Sequence, residues 1–470
     1  KIILKGGLQT LNDNKKIILI ISILGALWTP FITTSVNIAL PYMGTYLKIG
    51  SSLVNWITSS TILAIAMFTL PMGKLSDMIG RKKLMLIGAI ISTISTFMCA
   101  LSQSIYFLLV FRVLEGIGCA MISTAIVSIV CAAYPPNERG KALGINVACV
   151  YIGLSAGPII GGAILNFTSW RGIFLFPIPI GFLLIFLLIR VLRTDDIIDK
   201  SQSKFDLKGA GLYGISIFLI IFSLSNLLLR NWSKYTLILG ILMLCAFMYF
   251  ESKISFPIID VKLMKGNKLL IFSSLAALIN YSSTYAISYL MSLYLQVAQS
   301  LEPATVGLIL LTQPAVQAIL SPFAGRLSDK IPSQVLASIG MSVIALVLFV
   351  FSLFYQNTPI ALVVFLLALV GAGFAFFSSP NTNSIMSSVD KTHHGVASGI
   401  LGTSRTVGQS FSMSLTALIT SIFMGNEQIG TETILQFIQS FKVTFAILAF
   451  LCLLGVFASL ARGKKASATL

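Results

Sequence analysis

Charge is scarce in this sequence, and negative charge scarcer still: Asp, Glu, Lys and Arg make up 10% of 470 residues, with 15 acids against 32 bases. A chain of soluble domains needs about 25% charged residues to clothe its surface, so that class is excluded. The 56% hydrophobic content and mean hydropathy of +0.94 point instead to an all-α polytopic membrane protein. A net charge of +17 would suggest nucleic acid in a soluble protein. Here the bases are dispersed through short loops between apolar runs, where they set topology, so nucleic acid is not a partner. Cysteine is sparse as well. Cys99, Cys119, Cys131, Cys149, Cys245 and Cys452 lie in apolar runs without C-x-x-C spacing, which gives neither a disulfide framework nor a metal site and reads as small core residues. A Walker A pattern, a zinc-protease helix and a nucleophile elbow are all lacking, so no enzyme and no cofactor is implied.

What is present is a series of apolar runs long enough to cross a bilayer, each about 20 residues or more. They fall near 16–43, 52–72, 84–101, 106–133, 140–166 and 172–192, then 209–229 and 234–250, then 269–297, 304–324, 335–355, 359–384, 396–424 and 438–461. The first run is too long for a signal peptide. The grouping is six, two and six. It predicts an N-terminal bundle over 1–192, linkers with an inserted helix pair over 193–268, and a C-terminal bundle over 269–470. Charge supports the count. With the first loop placed inside, only Lys48, Arg171, Arg230, Lys234 and Lys442 fall in outer segments, Arg112 and Arg405 fall within spans, and every other base is inner. One missed helix would invert all later loops, so both termini are expected in the cytoplasm of a cell whose plasma membrane holds the chain. Ser201 then lies in an inner linker and Asn426 in an outer loop.

Two short segments repeat. Gly73-Lys-Leu-Ser-Asp77-Met-Ile-Gly80-Arg81-Lys82-Lys83 reads as a charged turn after the second run, and Gly325-Arg-Leu-Ser-Asp329 stands after the second run of the last six. Related halves in a membrane chain point to a transporter built from repeats. On the fifth run, Gly153, Gly157, Pro158, Gly161 and Gly162 set small residues along one face, where another helix can approach closely and the proline can bend the rod. Further stretches are Arg112-Val-Leu-Glu-Gly116-Ile-Gly118, Asn37-Ile-Ala-Leu-Pro41 and Ser169-Trp170-Arg171.

Taken together, these motifs resemble the major facilitator superfamily, and with the inserted pair they resemble its fourteen-helix drug/proton antiporter branch. The resemblance covers essentially the whole chain. It implies two six-helix bundles rocking about a central site, efflux of a small molecule, and exchange against protons. It also implies that Asp77 packs at the N-terminus of the helix beginning near Val396 as a gating latch, with Gly73, Gly80, Arg81 and Lys82 forming its loop. That branch commonly carries an aspartate five residues before the helix-one asparagine; Ile32 stands there here, followed by Thr33, Thr34 and Ser35.

Charges at membrane depth are costly and mark function by default. Arg112 and Glu115, one turn apart, either form a structural ion pair or leave Arg112 facing the cavity while Glu115 exchanges a proton in place of the missing acid. Further cavity candidates are Asn37, Asn280, Tyr281, Tyr285, Gln313, Gln317 and Arg405. Tyr281, Tyr285 and Tyr289 share one helical face, and the first two sit near the middle of a span, away from the interfacial aromatic belt. An aromatic, apolar cavity favours an amphipathic or cationic cargo, handled by a monomer in the lipid bilayer. His393 and His394, beside Lys391, are expected to be exposed loop residues. The rival readings are a metabolite, lipid or peptide exporter uncoupled from protons, and a membrane sensor that moves nothing.

Overall fold

The computed structural model describes residues 2–48, 51–191, 204–226, 232–254, 256–259, 266–424 and 434–462. The charged stretch at 193–200, with Ser201 and Asn426, lies outside the described residues. Among them there is no strand, and fourteen helices are long and apolar enough to cross a membrane. These spans are α1 (Lys15–Leu40), α2 (Trp56–Ile79), α3 (Arg81–Ala100), α4 (Ile105–Ala133), α5 (Pro136–Leu165), α6 (Trp170–Arg190), α7 (Leu207–Leu224) and α8 (Trp232–Glu251). They continue with α9 (Lys268–Ala298), α10 (Thr305–Ser328), α11 (Ser333–Phe351), α12 (Ile360–Ser387), α13 (Lys391–Met424) and α14 (Ile434–Leu460). In hydrocarbon a helix satisfies every backbone group within itself, which is why the apolar runs and the helices coincide.

Helix ends follow local chemistry. Ser104 caps α4 by accepting from the Phe107 amide at 3.3 Å, and Asn267 caps α9 by accepting from Leu270 at 3.0 Å. The segment expected to be a turn from Gly73 is helical as far as Ile79; the break comes at Gly80, whose φ of 98° suits a residue without Cβ. Hydropathy ends the apolar run at residue 72, but burial of Ser76 and Asp77 carries the helix on.

Helices α1–α6 and α9–α14 form two bundles. In the first, α1 packs on α5 and α4 on both α2 and α3; in the second, α12 packs on α10 and α11, and α14 on α9 and α11. Matched glycine crossings show the repeat. Gly88 of α3 meets Gly118 of α4 so closely that a Cβ on either would stand 2.8–2.9 Å from the other's carbonyl oxygen, and Gly340 meets Gly373 in the same way between α11 and α12. The antiporter-motif glycines Gly153, Gly157 and Gly161 lie against α1 at Leu27, Thr34 and Ser35, whereas Gly162 has open space where its Cβ would be. Contact between the bundles runs through α5 with α10 and α2 with α13.

The inserted pair lies outside this frame. Helix α7 packs on α2 and α13, and α8 packs chiefly on α7. The Tyr213 hydroxyl sits 2.6 Å from the Thr403 hydroxyl of α13 and donates to the Ala66 carbonyl of α2 at 3.3 Å. Only 17% of the apolar window of α8 is buried, and Tyr235, Leu242 and Tyr249 point outward, as a lipid-facing helix requires. Five cysteines are buried as expected of core residues; Cys245, on α8, is exposed.

Candidate functional site

A cavity of about 980 Å³ lies between the bundles. Asn37 of α1 and Thr58 of α2 line it from the first half, hydrogen-bonded to each other at 3.0 Å. Tyr151 and Pro158 contribute from α5; Tyr281, Tyr285 and Tyr289 from α9; Gln313 from α10; and Arg405 from α13. Asn37 is exposed, and Tyr285 and Leu308 on the wall are 44% and 71% exposed, which marks the end at which the cavity opens.

The other end is closed by two latches built alike. Asp77, at the end of α2, accepts from the amides of Gly395 at 2.9 Å and Val396 at 3.1 Å, the first turn of α13. Asp329, after α10, accepts from the amides of Gly140 at 2.8 Å and Lys141 at 3.2 Å, in the second turn of α5. Each carboxylate thus accepts from two backbone amides near the start of a helix in the opposite bundle, where the positive end of the dipole favours negative charge. Backbone packs on backbone beside both: a Cβ on Gly73 would collide with the Gly395 carbonyl, and one on Gly325 with that of Gly140. The latches differ in depth. Asp77 is 6% exposed, Asp329 half-buried. Arg81 adds a bond to the Lys391 carbonyl beside the first. Burial lifts the Asp329 carboxyl above the usual carboxylate range, against the opposing pull of its two amides. Lys74, Lys82, Arg139, Lys141, Lys330 and Lys391 cluster at this closed end, which is therefore the basic end. His394, expected in an exposed loop, is 1% exposed because it opens α13 against the first latch. Among the described residues no group of His, Cys, Asp and Glu could hold a metal ion.

Several candidate residues lie off the cavity. Arg112 is completely buried on the far side of α4, where it donates from Nε to the Ile57 carbonyl at 2.8 Å and pairs with Glu115. Glu115 is equally buried and accepts from the Thr96 hydroxyl at 2.6 Å. The pair is walled in between α2, α3 and α4, so Arg112 does not line the cavity and Glu115 has no route to it. Asn280 and Gln317, both completely buried, also miss the wall; the Asn280 amide finds no hydrogen-bond partner, and the Gln317 amide lies beside the Tyr151 hydroxyl.

Arg405 is then the one charged side chain on the cavity wall among the described residues. Its guanidinium carbon stands 5.2 Å from the ring centre of Tyr281, a cation–π contact, and its Nε has no hydrogen-bond partner. Tyr151 of the opposite bundle completes the cluster, and Phe374 packs against both tyrosines at 6.3 and 6.4 Å between ring centres. For the amphipathic or cationic cargo expected of an aromatic, apolar cavity, the described wall offers tyrosine rings and no carboxylate. Sequence reasoning missed Tyr151 and Gly140. Gly140 had a signal: Gly140-Lys-Ala142-Leu-Gly144 opens α5 as Gly395-Val-Ala397-Ser-Gly399 opens α13.

Comparison with known proteins places this architecture. The profile of the Major Facilitator Superfamily matches residues 22–269 and 273–469. The chain is 30% identical over 449 residues to the riboflavin transporter RibZ of Clostridioides difficile (strain 630), covering 94% of this chain and 96% of that protein. It is 28% identical to the multidrug resistance protein Stp of Mycobacterium tuberculosis (strain CDC 1551 / Oshkosh), over 81% of this chain and 71% of Stp. Among solved structures, the human organic anion transporter MFSD10 superposes with a TM-score of 0.68 at 12% identity, over 96% of this chain and 99% of that one; at that identity the likeness is one of fold.

Proposed function

This chain belongs to the Major Facilitator Superfamily, and on that premise we propose that it carries a drug-sized aromatic molecule through the central cavity by alternating access, with the two bundles rocking about it. It is a transporter and not an enzyme. The observation that carries the reading is the cavity itself: about 980 Å³, open at one end, and shut at the other by two carboxylate latches that reach across the bundle interface. That volume holds a molecule of the size of riboflavin, the cargo in the name of a 30% identical relative. Releasing both latches would open the basic end, and the tyrosine-lined end would close in exchange.

The basic end is cytoplasmic on this reading, since lysine and arginine concentrate on that side. Lys15, where α1 begins, sits there beside Glu138 at 3.0 Å, so the first span enters from the cytoplasm of a plasma membrane. One chain encloses the whole cavity and works as a monomer. The described wall carries no carboxylate, and Glu115 is sealed away, so exchange of cargo proceeds without a pH gradient.

Purified protein in liposomes loaded with riboflavin tests this. Labelled riboflavin outside should enter by counterflow at equal pH on both sides, and an imposed gradient should leave the rate unchanged. Absence of counterflow would overturn the cargo, and a gradient-dependent rate would favour the second reading, proton-coupled drug efflux. The observation on that side is the Arg112–Glu115 pair at membrane depth, together with the likeness to Stp.

A further inference from the structure

Arg405 is held at membrane depth with no acid among the described residues beside it. The groups that act on it electrostatically are phenols, Tyr281 and Tyr151, and neither supplies a formal negative charge at neutral pH. A cation in such a place is expensive, and buried charges are ordinarily paired. Arg112 in the same protein shows the ordinary solution, with Glu115 on its guanidinium. Arg405 instead faces open space, leaves Nε without a partner, and is flanked by tilted aromatic rings on its own bundle and on the opposite one. The rest of the wall is neutral. Hydroxyls and amides line it, but those of Thr33 and Thr34 already donate to carbonyls of their own helix, and Asn37 and Thr58 bond each other.

Resting on the reading of this cavity as the substrate site, we propose that the preferred cargo is an anionic aromatic molecule whose negative group pairs with Arg405 while its rings stack among Tyr151, Tyr281 and Phe374. Planar guanidinium geometry suits a carboxylate or a similar two-oxygen anion, which it can hold by two parallel hydrogen bonds. Cargo binding then supplies the missing counter-charge, and its departure leaves the cation exposed again. A cationic molecule of the same shape meets repulsion at the one charged point of the wall.

Fluorescein and rhodamine 123 share a three-ring scaffold and carry opposite charge near neutral pH, so they isolate the effect of sign. Binding to the purified full-length chain by fluorescence anisotropy should favour fluorescein by about tenfold or more, the scale of one charge-assisted contact. Arg405→Gln should remove that preference mainly by weakening fluorescein, and Arg405→Lys should keep its sign. Preference for rhodamine 123, equal binding of the two dyes by the wild type, or a preference that survives Arg405→Gln would each overturn the proposal. The wild-type comparison decides even if a variant fails to fold. Riboflavin counterflow without any preference between the dyes would sink this inference alone, leaving the transport reading in place; failure of riboflavin and both dyes to bind would remove the cavity reading and this inference with it.

Discussion

Two cations sit inside the membrane-spanning body, and the protein treats them differently. Arg112 is wholly buried, paired with Glu115 and bonded to the Ile57 carbonyl. Arg405 faces the cavity with aromatic neighbours and no acid. Desolvating a guanidinium costs several kcal/mol in either place. In the first the cost is met inside the fold, so the pair braces α2, α3 and α4. In the second the Tyr281 ring offsets only part of it, so on the proposed reading a group from outside the chain supplies the rest. Depth in the membrane therefore does not by itself identify a functional charge; what surrounds the charge does.

The largest effect is expected from Glu115→Gln. It strands the Arg112 charge and should destabilise the protein by about 3–5 kcal/mol, read as a lower melting temperature in detergent, while protein that does fold still exchanges cargo. Native stability with loss of pH-driven transport would break the comparison and make Glu115 a coupling residue. Replacing both members, Arg112→Met with Glu115→Leu, should recover most of the loss, because a neutral pair of similar volume leaves no orphaned charge.

Arg405→Gln should leave stability within about 1 kcal/mol of wild type, since no ion pair is broken. A melting temperature lowered as far as that of Glu115→Gln would mean that Arg405 is also a structural cation. The same contrast of depth recurs at the latches. Asp77→Asn should weaken closure of the basic end by about 0.3–2 kcal/mol, and Asp329→Asn by less, because Asp329 is the more exposed of the two. Spin-label distances between the basic ends of α2 and α13 would report both, and equal shifts would show that depth does not grade the latches.

The smallest effect concerns pH. Burial raises the Asp329 carboxyl when the latch is closed, and opening returns it to solvent and its ordinary value. The closed form therefore binds the proton more tightly. It gains from protonation fully below the ordinary carboxylate value of about 3.9, and that gain fades as pH rises through the raised one. Closure should strengthen slightly on acidification, because the protonated carboxyl keeps acceptor capacity, whereas Asp329→Asn, whose NH2 can only donate, should lose both that component and one of the two amide bonds.

The spans were legible because hydrocarbon admits little besides a 20-residue apolar helix. Their number and order, and the repeat, followed from run lengths and from loops such as that of Asp77. Helix ends were not legible where packing overrides hydropathy, as in the stretch from Gly73 to Ile79. Within the site, Tyr281, Tyr285 and Arg405 were readable from depth and face. The orientation of Arg112 was not, since α4 is apolar all round and gives no periodic sign of which side meets the cavity. Asn280 and Tyr281 make the limit plain: adjacent in sequence, they point about 100° apart, and only the packed helices decide which one is sealed.

Tyr213 carries a consequence for timing. Its phenol bridges α2 and α13, two helices that belong to opposite bundles, from a third helix that belongs to neither. On the proposed stroke, parting α2 from α13 would take a partner from that buried hydroxyl, a loss of about 1–3 kcal/mol until another partner replaces it. On that reading the inserted pair would act as a clutch, setting how often the stroke is made and leaving the choice of passenger to the cavity.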